Sequence, residues 1–128
     1  MHAKPLDAYQ AIEKTTLSGR ELEASVLMRA AQLLAEVQHH WDAPGLNERL
    51  DQALRHNMRI WTLFQAELTS ADNPLPQDLR SNLLSLSAFI DKRSFEVMAD
   101  PNPAKLDILI SINKNIAAGL RGNLSGEV

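Results

Sequence analysis

The residue types most able to do chemistry in this chain are a histidine-rich helix end, one further histidine and a run of serines. Glu36-Val37-Gln38-His39 sets a carboxylate and an imidazole one helical turn apart, with His40 adjacent. That is the Glu-x-x-His spacing of di-metal carboxylate bundles, but such a centre needs a second copy and carboxylates from two other helices. The sequence holds no second copy. The plainer reading is a pair of solvated histidines at a helix end, where a cation opposes the negative pole of the helix dipole. His56 lies beside Arg55 with no serine near it in sequence, and Ser81, Ser85 and Ser87 fall at surface positions of a helix by their spacing. There is no nucleophile elbow, glycine-rich phosphate loop or paired-carboxylate motif. No catalytic residue, metal ligand or cofactor is expected, and the chain reads as a protein that is not an enzyme.

Composition narrows the classes further. The chain has 128 residues, 45% of them hydrophobic and 23% charged, which fits one globular domain rather than a disordered or low-complexity segment. It has no cysteine, so disulfides, thiolate metal sites and thiol catalysis are excluded. Its 13 basic and 16 acidic residues give a net charge of −3, with no like-charge run to neutralise phosphates. Nucleic acid is therefore not an expected partner. Met1-His2-Ala3-Lys4-Pro5 leads into a mixed polar stretch, and no run approaches the ~18–20 apolar residues of a membrane span. A soluble, cytoplasmic protein is expected.

The elements that must position any site are helical. Leu6, Tyr9, Ile12 and Leu17 mark a short N-terminal arm over residues 1–17, loosened at Thr15-Thr16-Leu17. Ser18-Gly19-Arg20-Glu21 has the form of a capping box, in which serine and glutamate satisfy each other's free backbone donors. From there Leu22, Val26, Ala30, Leu33, Val37 and Trp41 form a continuous stripe, and Ala43-Pro44-Gly45 breaks the helix. A second stripe, Leu46, Leu50, Leu54, Asn57, Trp61, Phe64 and Leu68, predicts a helix over 46–69. The turn-rich run Ser70 to Pro76 reverses the chain, with Pro76 suited to a first helical turn. Leu79, Leu83, Leu86, Ile90 and Val97 mark the third helix. Asn102 and Pro103 then open a last helix over 104–120, before a mobile tail at 123–128. The expected architecture is all-α: an up-down bundle of about four long helices, residues 18–122, with a short N-terminal helical arm.

Two features of the stripes suggest more than packing. Asn57 and Asn113 interrupt apolar seams, and a buried amide without a partner costs ~1–3 kcal/mol, so each should bond the other or backbone. The apolar faces are also wider than a bundle contact needs, at Leu27, Ala31 and Leu34 on one helix and Ile108 and Ile112 on the last. The arm, a second copy of the chain or a partner's amphipathic helix could cover them. The candidate partner-binding residues are Tyr9, Ile12, Leu27, Leu34, Trp41, Ile108 and Ile112.

Three passages carry a resemblance. Ala53-Leu54-Arg55-His56-Asn57-Met58-Arg59-Ile60-Trp61-Thr62-Leu63-Phe64 is the first. Asn73-Pro74-Leu75-Pro76-Gln77-Asp78-Leu79-Arg80, followed by a Leu/Ser helix to Leu86, is the second. Leu109-Ile110-Ser111-Ile112-Asn113-Lys114-Asn115-Ile116-Ala117-Ala118-Gly119-Leu120 is the third. In this order they resemble the FlaF family of flagellar biosynthesis regulators. The resemblance implies a cytoplasmic bacterial protein that promotes flagellin synthesis and secretion. It would bind the terminal helices of flagellin as an export chaperone and act with the partner regulator FlbT. The alternative implied role is post-transcriptional control of flagellin expression on mRNA, directly or with FlbT. That role would need a basic groove built from Arg49, Arg55, Arg59, Arg80, Lys92, Arg93 and Lys105. The motif positions Asn57, Trp61, Leu75, Pro76, Arg80 and Asn113 read as architecture at least as well as interface.

Overall fold

The computed structural model describes the backbone of residues 5–124 and the side chains of residues 19–122. Four helices, α1 (Pro5–His39), α2 (Leu46–Thr69), α3 (Gln77–Ala99) and α4 (Asp107–Leu124), make an all-α bundle, with a 3-10 turn (Pro103–Leu106) leading into α4. None of the helices among the described residues is long and apolar enough to cross a membrane.

The breaks between helices have identifiable causes. Gly45 takes the left-handed conformation at φ 77°, which a side chain would strain, and α2 starts at the next residue. Arg49 clamps this turn: Nε donates to Pro44 O at 3.1 Å, and Nη2 to His40 O at 3.0 Å and Ala43 O at 2.8 Å. Carbonyls of the turn that follows α1 thereby gain a side-chain partner from α2. At the next reversal Asn73 organises the loop. Its Nδ2 donates to Glu67 O at 3.0 Å, and its Oδ1 accepts from Leu75 N at 3.0 Å. Asn102 Oδ1 accepts from Ala104 N at 2.9 Å and so caps the 3-10 turn, the cap read from the sequence.

Several boundaries differ from the sequence reading. The expected arm over 1–17 is not a separate element, because α1 runs unbroken from Pro5. Ser18, read as the start of a helix, lies inside α1. Threonine pairs and a single glycine lower helix propensity by only ~0.5–1 kcal/mol per residue, and continuous helix overrides that. Pro76 sits just before α3 rather than in its first turn, and α4 begins at Asp107 rather than 104. At its other end α4 continues to Leu124, into the expected tail, whose residues 125–128 lie outside the described ones.

The helices α1 and α4 lie antiparallel and are tied at both ends. Gln38 Nε2 donates to Pro103 O at 2.9 Å and Asp107 Oδ1 at 2.6 Å, and Arg121 meets Glu21 Oε1 at 3.3 Å. Ala24, Ala30 and Ala31 on α1 are fully buried, and their small side chains allow the close approach on which Leu109, Ile112 and Ala117 pack. Helix α2 packs between α1 and α3, through Leu50, Ala53, Leu54, Ile60 and Trp61. Helix α3 packs on α2 and the 3-10 turn rather than along α4. The bundle is thus a three-helix core of α1, α2 and α4 with α3 laid over α2. It is left open where the 70–76 loop meets the end of α4.

Candidate binding groove

Of the groups singled out for acid, base or metal chemistry, Glu36, His40 and His56 line one cavity of about 620 Å³ between the end of α1 and α2, beside Arg49 and Gln52. His39 and His40 are exposed at the end of α1, where His40 Nδ1 lies 3.0 Å from Glu36 O. Among the described residues no three His, Asp or Glu side chains come together in a way that could hold a metal ion. Ser81 and Ser85 are exposed, but Ser87 is not the surface residue expected: it is buried, as is Ser94. Both face α3's packing side, where a small hydroxyl lets the helices come close. Ser94 Oγ donates to Ile90 O at 2.6 Å.

The two interrupting asparagines do meet. Asn113 Nδ2 donates to Asn57 Oδ1 at 2.7 Å and also approaches Leu27 O at 3.3 Å, while Asn113 Oδ1 accepts from Trp61 Nε1 at 2.9 Å. All three side chains are buried, so one amide links α1, α2 and α4 in the interior, with Asn57 Nδ2 enclosed and without a partner. The bond to Nε1 also fixes the Trp61 indole, against which Phe64 packs edge-on at 5.8 Å and 65°.

Trp61 and Phe64 form part of the wall of a cavity of about 360 Å³ at the open end of the bundle. Leu68 completes the α2 side, Leu83 comes from α3, and Ile116 and Leu120 come from α4. The loop wall is Ser70, Asp72, Asn73, Pro74 and Leu75, held by the Asn73 bonds, and α1 contributes Arg20 and Glu23. The interior is apolar and its mouth is charged. The Glu23 carboxyl titrates above its ordinary range, chiefly because burial disfavours its charge, then because the Glu67 carboxylate is near; Arg20 opposes both.

The residues expected to bind a partner lie elsewhere. Leu27 and Leu34 are fully buried and Ile112 is 9% exposed, so the surplus flanks of α1 and α4 cover one another instead of awaiting a partner. Trp41 is half-buried against the core near the start of α2, and Ile108 is 39% exposed on α4. Tyr9 and Ile12 belong to the part of α1 whose side chains lie outside the described residues. Among the motif residues, Asn57, Trp61 and Asn113 form the buried network and Leu75 lines the groove. Pro76 precedes α3, and Arg80 is half-buried with its Nε enclosed and without a hydrogen-bond partner. Phe64, Leu68, Leu83, Ile116 and Leu120 were missed as site residues because each sits on a stripe that also serves packing. The available signal was convergence: the groove draws on all three motif passages, through Trp61 and Phe64, Asn73 to Leu75 with Leu83, and Ile116 with Leu120.

The bundle thus presents an apolar groove at its open end, walled by residues from all three motif passages. The family described as "Flagellar protein FlaF" matches residues 5–120 of this chain, which therefore belongs to that family. No curated protein and no solved structure matches it.

Proposed function

We propose that this protein is a cytoplasmic export chaperone that holds flagellin through one of its amphipathic terminal helices and so promotes flagellin synthesis and secretion. The observation that carries the reading is the groove: the three passages that resemble the FlaF family come together around one apolar cavity. Flagellin's terminal helices, whose apolar faces pack in the filament, need cover before assembly. Burying one Leu or Phe side chain in such a groove contributes ~1.5–3 kcal/mol, so two or three anchors suffice for a reversible complex. Four of the cations that an RNA groove would use are engaged within the chain. Arg49 holds backbone carbonyls, Arg55 pairs with Asp51, Arg93 with Glu96, and Lys105 with Asp100. The test is co-elution of the purified protein with monomeric flagellin, full-length and with either terminal helix removed. Binding lost with one terminal helix is the expected result, and binding indifferent to both truncations contradicts the reading.

A further inference from the structure

The mouth of the groove carries charge that the described residues do not neutralise. Glu23 and Glu67 approach it from α1 and α2, and Asp72 from the adjoining loop, against the single cation Arg20. None of these four belongs to an ion pair among the described residues, although four such pairs form elsewhere on the surface. Glu23 and Glu67 both line this cavity, and Glu23 is partly withdrawn from water. Two carboxylates lining one apolar mouth present a standing field for a cation that arrives with apolar surface attached. Lysine and arginine suit that geometry, since their aliphatic stems lie along apolar surface while the charged head reaches a polar rim. The aromatic pair Trp61 and Phe64 supplies such a surface directly inside the mouth.

We infer that the groove selects an amphipathic helix carrying a lysine or arginine beside its apolar anchors, and that the carboxylates of Glu23 and Glu67 receive this cation at the groove mouth. The inference rests on the proposed function for the identity of the occupant and adds what distinguishes that helix from others of equal hydrophobicity. The apolar anchors hold the complex, while the carboxylate pair draws the correct helix in and fixes its register.

The test measures association of monomeric flagellin with the full-length protein, from 20 mM to 500 mM salt in steps, for wild type, Glu23→Gln/Glu67→Gln and Phe64→Ala. Both glutamine replacements are isosteric at sites outside the fully buried core, and unfolding curves of all three proteins exclude a folding effect. The expected result is that the double glutamine variant associates about tenfold more slowly at low salt and loses most of its salt dependence, while Phe64→Ala shortens the lifetime of the complex. An unchanged rate and salt slope in the glutamine variant, with Phe64→Ala impaired, overturns the inference and leaves the proposed function standing. No effect of either variant overturns the inference and the groove as the site of capture. Self-association of the protein alone, relieved by Phe64→Ala, assigns the groove to a second copy of the chain and likewise overturns the inference.

Discussion

Asn113 on α4 donates through Nδ2 to Asn57 Oδ1 on α2 at 2.7 Å, across a seam where both side chains are completely buried. The same Asn113 amide accepts from Trp61 Nε1, so a structural pair also sets the angle of an aromatic wall of the groove. Core and binding surface are joined at this residue.

Removing either amide should therefore be costly. Asn113→Ala leaves Trp61 Nε1 and Asn57 Oδ1 without partners in the buried interior, and a loss of about 2–4 kcal/mol is expected. Urea denaturation checks this. In a double-mutant cycle, Asn57→Ala/Asn113→Ala should cost less than the two single changes added together, by about 1 kcal/mol. Strict additivity would mean that the two amides do not cooperate.

The turn between α1 and α2 makes a second prediction. Arg49 serves three carbonyls from a planar fork, a geometry that lysine cannot copy. Arg49→Lys should lose about 1–2 kcal/mol and speed hydrogen exchange in residues 40–49 without changing exchange in α3. Gly45→Ala, at a backbone φ of 77°, should cost about 1 kcal/mol. Gly45→Asn should cost less, because asparagine tolerates the left-handed region.

Glu23 gives a pH signature with a definite sign. Its carboxyl is pushed up by burial and by Glu67, against Arg20, so the folded state binds this proton more tightly than the unfolded chain does. Stability from this group is greatest below the ordinary glutamate range and falls as pH rises through the raised value. Glu23→Gln should accordingly stabilise the protein slightly at neutral pH, with the difference from wild type closing as pH drops into the ordinary glutamate range. Thermal unfolding of both proteins at matched pH values reads this. A difference that grows on acidification would reverse the assignment.

Much of the fold was legible in the sequence, for local reasons. The α2 helix runs Leu46–Thr69 as its stripe predicts, because Gly45 and the Asn73-Pro74-Leu75-Pro76 run leave the chain no helical alternative on either side. The asparagine contact followed from the cost of an unpaired buried amide. The unbroken α1 did not follow, since Ser18 to Glu21 has the form of a cap and only the whole helix decides whether it is used. The groove was the least legible feature. Phe64, Leu68, Ile116 and Leu120 occupy the same kind of stripe position as Leu54 or Leu109, yet Leu54 and Leu109 are fully buried while Phe64, Ile116 and Leu120 remain half-open. What separates them is that α3 lies over α2 and away from α4, a tertiary arrangement that no stripe encodes. Conversely Leu27, Leu34 and Ile112 read as surplus because the closeness of α1 and α4, set by buried alanines, is not visible in either helix alone.

The absence of cysteine makes the central claim directly measurable, because a single introduced thiol is the only one in the chain. Leu120→Cys at the groove and Leu63→Cys on an exposed face of α2 are each labelled with a photo-crosslinker and mixed with monomeric flagellin. The label at position 120 should capture a terminal helix of flagellin in high yield, and unlabelled protein in excess should suppress it, while the label at position 63 yields little. Crosslinking to flagellin from position 63 and not from position 120 would contradict the groove as the site of capture.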